Sequence, residues 1–394
     1  MKILLKPSYW HFSLLTISLF LCDAVFRIRA YEDKTLDFQV LIKILVYITL
    51  FIVGSIMFKK HNTNFKFKHN VFIFLLIIYF LLSSFWSVNT LYGIVSSFSI
   101  LSYFIFITSF TSKYGEQILL KFIFYALLIF MVVSFIFYFF YPSVGSISYW
   151  EFDIFVESGR MSGIAGSANN LGRISCLAFI ISFFFYRQGG RSKAVFLLLF
   201  LSISSLILSL NRSSMLMVLF AFFILTFSKR YKQLYLMSLI ILGIFCIFLV
   251  FNLDNILIMT SRSGNIEEML TFTGRTYIWN VVLELLEKKP IFGFGYASSI
   301  FILPQYENQI GFTASHAHNM ILQVLLYGGG VALAGFFASI LMFFTLKLNK
   351  LQVCLFVFVF YNGLLESGAF NGLVNITTLT LFIAYNINNK RIVN

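Results

Sequence analysis

Charge is what this sequence has least of. Only 11% of its 394 residues are Asp, Glu, Lys or Arg, whereas soluble domains usually carry about 25%. With 59% hydrophobic residues and 52 Phe, that scarcity excludes an ordinary soluble domain. Acids are scarcer still, 15 against 29 Lys and Arg, and the resulting net charge of +14 raises the question of a nucleic-acid partner. Cysteine is sparse too: Cys22, Cys176, Cys246 and Cys354 each lie inside an apolar run, where cysteine behaves as a small hydrophobe. Their placement excludes a disulfide framework and a cysteine-based metal cluster. A small-residue cleavage site is missing after the first apolar stretch, although Lys2 and Lys6 precede it. Residues 9–26 therefore read as a retained helix and not as a signal peptide. Internal repeats and low-complexity segments are absent beyond the Phe and Ile bias.

What the chain does have is apolar runs of the length a helix needs to cross a hydrocarbon core of about 30 Å. Twelve candidate spans follow: 9–26, 36–58, 71–86, 91–110, 118–141, 169–186, 194–210, 214–227, 234–251, 318–346, 351–365 and 372–387. The expected fold is an all-α, polytopic membrane protein, a single integral membrane domain over 1–394. With the N-terminus inside, the inner loops and termini carry 17 Lys or Arg against one acid, Glu116. Basic enrichment in short loops marks the cytoplasmic face, so both termini are expected there. The positive charge is thus a topological signal, and no nucleic-acid partner is expected. Lys43, Lys121 and Arg173 lie near span ends and read as snorkelling residues. Asp23 reads as lying near the outer end of a short first helix.

The outer loops use a different vocabulary. They hold Glu32, Asp33, Glu151, Asp153, Glu157, Glu267, Glu268 and Glu307, and six Arg: Arg27, Arg29, Arg160, Arg212, Arg262 and Arg275. Guanidinium is a rigid planar fork suited to bidentate contact with phosphate, whereas ammonium is a flexible point charge. In the loop after the fifth span, glycines flank Arg160, and Asn169 or Asn170 can cap the next helix. Asn211-Arg212-Ser213-Ser214 is a tight outer turn that sets an arginine at membrane depth. The large outer loop, 252–317, contains Tyr277, Ile278, Val281, Val282, Leu285 and Leu286 at helical spacing. The pattern predicts a short amphipathic helix on the membrane surface, anchored by Trp279 and ending before Pro290. Arg275 sits at its start, beside backbone N–H groups that favour an anion. Gly293-Phe294-Gly295 then reads as a flexible turn, and it does not match a nucleotide-binding loop.

His316 and His318 are the histidines of this face. A histidine at the head of a membrane helix can act as a general base near neutral pH, although a structural role is equally open on residue type alone. As a metal site, His-x-His without a well-spaced third ligand is incomplete.

The order of these motifs resembles the bacterial O-antigen ligase and polymerase superfamily of polytopic glycosyltransferases. Arg160 with Gly163 and Asn169-Asn170 is similar to its first outer arginine motif, and Asn211-Arg212-Ser213 to its short Ser/Arg turn. Gly274-Arg275-Thr276-Tyr277-Ile278-Trp279, with 290–296, resembles the large-loop signature. His318-Asn319, then nine residues and Gly329, resembles the signature that opens the next helix. Ala332 departs from the ligase pattern, which tends to Gly, Thr or Tyr there.

The resemblance implies glycan transfer from an undecaprenyl-diphosphate-linked donor to a lipid-linked acceptor at the periplasmic face of the inner membrane, without metal or cofactor and with inversion. It makes His318 the base and Arg275 a catalytic and diphosphate-binding residue. Arg160 and Arg212 are implied diphosphate ligands, supported by Asn319, Gly274, Gly293, Gly295, Asn169 and His316. Among superfamily members the large-loop signature looks more like a polymerase, with membrane lipid and a chain-length regulator as partners. A ligase acting on lipid A core is the runner-up. A lipid-linked oligosaccharide flippase, expected to line a central cavity from both halves of its chain, fits these asymmetric outer loops less well.

Overall fold

The computed structural model of the protein describes residues 9–25, 38–60, 67–151, 154–226, 274–345, 348–366 and 368–387. The predicted span 234–251, Arg262 and most of the first part of the large loop lie outside them. The elements are α1 (Tyr9–Asp23), α2 (Phe38–Lys60), α3 (Phe67–Ser83), α4 (Thr90–Tyr114), α5 (Glu116–Phe140), the single turn α6 (Pro142–Gly145), β1 (Ser146–Glu151), β2 (Ile154–Met161), α7 (Ala168–Arg187), α8 (Lys193–Ser209) and α9 (Arg212–Thr226). There follow α10 (Arg275–Lys288), α11 (Met320–Phe344), α12 (Lys350–Leu365) and α13 (Ile376–Asn386).

Five of these, α2, α4, α5, α7 and α11, are long and apolar enough by length and composition to cross a membrane, and six more are shorter apolar helices. The chain is a membrane protein. Eleven of the twelve expected spans coincide with a described helix. The loop expected over 142–170 instead carries an antiparallel ribbon, β1 against β2, with Ile147 opposite Arg160.

Side chains at the helix starts satisfy the first orphan N–H groups. Asn89 caps α4, Ser167 caps α7, Ser192 caps α8 and Asn375 caps α13, while Asn349 and Gln352 form a reciprocal capping box on α12. The cap of α7 is therefore Ser167, not Asn169 or Asn170. Within the apolar bundle, small residues allow close approach. A Cβ on Gly54 would meet the Phe106 backbone at 2.9 Å, which explains the intimate packing of α2 on α4. Ser175 and Ser205 hydrogen-bond across α7 and α8 at 2.7 Å. α7 is the hub: 72% of its apolar stretch is buried, against 22% for the peripheral α2.

The loops assigned to the outer face gather at one end of the bundle. Val25 N–H donates to Ile164 O, and Ile376 N–H donates to the buried Asp23 carboxylate at 2.6 Å. Tyr296 O–H donates to Gly372 O, and its N–H to Ser83 Oγ. Asp23 is the last residue of α1, as expected, and it also ties that helix to the head of α13. At the opposite end Gln352 donates to Ala384 O and Ile387 O.

The strongest backbone feature is a broken helix. α11 is interrupted at Gly329 (φ 60°, ψ −156°), and the peptide groups freed there pair with the 290–295 segment. Phe294 and Gly295 donate to Leu326 O and Tyr327 O, while Gly330 and Val331 donate to Pro290 O and Ile291 O. Breaks at membrane depth persist when freed backbone groups find partners in the protein. Gly293 and Gly295, expected in a flexible turn, are parts of this rigid strap. A Cβ at Gly293 would meet Gly328 N at 2.7 Å, and one at Gly295 would meet the Ser87 backbone at 2.5 Å.

Candidate active site

α10 forms where the hydrophobic period placed it, but its apolar face does not lie on lipid. Ile278, Val281, Val282 and Leu285 pack with Ile302, Leu303, Ile310, Ala314, Ala317 and Leu326 in a small core separate from the main one. Trp279 is pinned by this cap, its Nε1–H donating to Ala317 O at 3.0 Å. The apolar stripe had two possible covers, membrane or protein, and the 299–317 segment supplies the second.

That small core fixes the His-Ala-His-Asn turn. Ala317 N–H donates to Gln323 Oε1 at 2.7 Å, and Gln323 Nε2 donates to Ser299 Oγ. Asn319 is the N-cap of α11, accepting from Ile321 and Leu322 N–H, and so acts through the backbone that presents His318. His318 itself sits at φ 49°. A left-handed conformation in a residue other than glycine costs on the order of 1–3 kcal/mol and persists at sites where the surroundings enforce it.

Glu366 organises the site. It stands directly after α12, where one carboxylate oxygen accepts from Arg275 Nη2 at 3.0 Å and the other lies 2.8 Å from His318 Nδ1. The three side chains are 21%, 12% and 25% exposed for Arg275, Glu366 and His318, so the pairings are largely screened from water. Burial would raise the Glu366 pKa, but the hydrogen bond and charge of His318, with the charges of Arg173 and Arg275, outweigh it and hold the carboxyl at about 2. The ionised carboxylate favours the tautomer with hydrogen on Nδ1, which makes Nε2 the proton-accepting atom. His316 stacks beside His318, ring centroids 4.0 Å apart, with Nδ1 2.7 Å from Ser315 Oγ. Burial first, then the positive charges of His318, Arg173 and Arg275, lower its pKa to about 3 against the pull of Glu366. It is neutral at physiological pH.

Gly274 precedes Arg275 in the left-handed region, φ 77°, and offers no side-chain cap to α10. A Cβ there would also meet Phe312 at 2.7 Å. The positive end of α10 and the guanidinium of Arg275 thus share one location, an arrangement suited to an anion.

The other two arginines differ from each other. Arg160 is buried, with Nε and Nη2 donating to Ser209 O at 3.0 and 2.8 Å and Nη2 also reaching Asn169 Oδ1 at 3.3 Å. It clamps the ribbon to the end of α8. Asn169 O accepts in turn from Asn211 Nδ2 at 3.0 Å, and Gly172 makes room, since a Cβ would lie 2.5 Å from Asn211 Cβ. Arg212, exposed at the start of α9, follows immediately. The predicted residues therefore form two groups. One joins Arg275, His316 and His318 through Glu366; the other joins Arg160, Asn169 and the Asn211-Arg212 turn. Glu366 was not anticipated, because a single acid in a short loop far along the chain carries no spacing signal.

The ligating atoms of His316, His318 and Glu366 lie within 4.8 Å of one another, a donor set a cation could use. Glu366 is the third ligand that the His-x-His pair lacks in sequence, and its two oxygens also meet Arg275 and His318.

Helical bundle and site together define a polytopic membrane protein with a partly buried Arg–Glu–His cluster where its loops converge. Residues 197–337 match a family model described as O-Antigen ligase, consistent with the polymerase and ligase superfamily that the motifs resemble. The match takes in Arg212, Arg275, His318 and the broken helix. No curated protein matches the chain. The family suggests a glycosyltransferase-type enzyme acting on lipid-linked polysaccharide in a membrane.

Proposed function

We propose that the protein is a polysaccharide polymerase that transfers an undecaprenyl-diphosphate-linked glycan onto the next lipid-linked repeat unit at the periplasmic face of the inner membrane. The observation that carries this reading is Glu366 bridging Arg275 and His318, which sets a base and a cation side by side. His318 Nε2 takes the proton of the acceptor hydroxyl as that oxygen attacks the anomeric carbon. The bond from that carbon to the diphosphate breaks on the opposite side, so the configuration inverts. Arg275 and the head of α10 stabilise the charge gathering on the leaving diphosphate, and Arg212 meets the same group from the membrane side. Arg160, whose bonds hold Ser209 and Asn169, shapes the wall of the site. Arginines supply the charge stabilisation that a divalent cation would otherwise give, so the reaction proceeds without one.

The description of the matched family favours a second reading, ligation to lipid A core. Purified protein in nanodiscs, given lipid-linked repeat units alone, separates the two. Diphosphate-linked chains of increasing length support the polymerase, and persistence of the products in EDTA supports metal independence. Reaction only when lipid A core is added would reject the polymerase in favour of the ligase.

A further inference from the structure

The turn that holds His318 at φ 49° also stacks His316 beside it, with ring centroids 4.0 Å apart. Glu366 reaches the same point from the end of α12, and one ring nitrogen of each histidine and one carboxylate oxygen all lie within 4.8 Å of one another. Ligands about 2.0–2.2 Å from a zinc ion in a tetrahedral site stand roughly 3.4 Å apart. Closing the widest gap therefore takes at most about 1.4 Å, which rotation about side-chain bonds supplies.

The ligands are also held from behind. His316 Nδ1 lies 2.7 Å from Ser315 Oγ, which leaves its Nε2 for a metal. Glu366 Oε1 accepts from Arg275 Nη2 at 3.0 Å, which leaves Oε2, the oxygen 2.8 Å from His318 Nδ1. Outer partners of this kind orient metal ligands and fix which nitrogen binds. All three side chains are partly exposed, so an ion can reach them. Two imidazoles and a carboxylate with a fourth position open are a zinc-type donor set, whereas magnesium prefers oxygen ligands.

We propose that Zn²⁺ binds His316, His318 and Glu366 and switches transfer off. The switching rests on the role given to His318 above. Coordination through Nε2 uses the lone pair that takes the acceptor proton, and coordination through Nδ1 moves the ring proton onto Nε2. Either way the base is lost. Arg275 shares the carboxylate and lessens its attraction for a cation, which suits an ion that comes and goes better than a permanent one.

The test is calorimetric titration of the full-length protein in nanodiscs with zinc chloride, without substrate. One ion should bind per chain, and magnesium should not compete. His316→Ala and Glu366→Gln should each weaken binding by more than the roughly 10- to 100-fold that loss of an outer partner costs, and His316→Cys, which restores a zinc ligand, should recover it. Zinc should raise the melting temperature of the wild type but not that of His316→Ala, whose cooperative melting shows that it is folded. The double variant His61→Ala/His69→Ala, which removes histidines assigned to the opposite face, should bind as the wild type does. In chain-extension assays half-inhibition should fall at the zinc concentration that half-fills the site, and EDTA should restore the rate. Unchanged affinity in His316→Ala or Glu366→Gln, binding lost only in the His61→Ala/His69→Ala variant, or extension that continues with the site filled would each overturn the assignment. Zinc binding at these residues in a protein that extends no chains without zinc would support the metal site and reject the glycan-transfer reading.

Discussion

Glu366→Gln is the most informative single change, because it keeps the shape of the side chain and removes only its charge. The drop in its pKa from 4.5 to about 2 corresponds to roughly 3 kcal/mol of preference for the carboxylate. Reciprocally, the cationic partners lose stabilisation of similar size when the charge goes. The amide also offers a single oxygen in place of two, so it cannot accept from both Arg275 and His318 as the carboxylate does at 3.0 and 2.8 Å. If the lost orientation and charge fall on the transition state, about 3 kcal/mol is a fall on the order of 10²-fold in turnover. The assay is the initial rate of lipid-linked chain extension by purified protein in nanodiscs, at matched folded concentration. KM for the acceptor should change much less than kcat, because the acceptor hydroxyl meets His318 and not Glu366. Turnover within a few-fold of wild type would refute the view that Glu366 holds the base and the cation in register.

Arg275→Lys keeps the charge but loses the fork, so activity should fall severely, whereas Arg262→Lys, outside every motif, should be tolerated; extension assays on both variants check this. His316 has a folded pKa near 3 against the ordinary 6.5, so the unfolded segment binds more protons between those values. The 314–320 turn should therefore lose stability as pH falls from 6.5 towards 3 and be insensitive above 6.5, with His316→Gln flattening the slope in hydrogen exchange. Gly329→Ala should destabilise by more than the roughly 1–3 kcal/mol of a strained positive φ, since its Cβ would also lie 2.3 Å from Ile291 O. Gly330→Ala, with Pro290 O at 3.6 Å as the nearest atom, should melt nearly as the wild type does.

Helix positions were readable because an apolar run has one efficient structure in hydrocarbon. The span expected at 318–346 is α11, Met320–Phe344, and that expected at 118–141 is α5, Glu116–Phe140. What hydropathy could not express was the break at Gly329, whose cause is the backbone of 290–295. The period of α10 was equally legible, but a period shows which face is covered and not what covers it. Arg275 and His318 stood out as polar residues with motif neighbours in an apolar chain. Glu366 did not, because its meaning comes from what the start of α10, the head of α11 and the end of α12 bring together. Arg160 was legible as a residue type suited to phosphate, whereas the bonds of its Nε and Nη2 to Ser209 and Asn169 were not.

The central claim is that His318 removes the acceptor proton. The most direct measurement is single-turnover transfer by His318→Ala with a labelled lipid-linked donor, alongside undecaprenyl diphosphate binding by the same preparation. The account predicts binding close to wild type, because Arg275 and the head of α10 are intact, and no labelled chain beyond the first repeat unit. Chains extended by the variant at a rate near that of the wild type would contradict it.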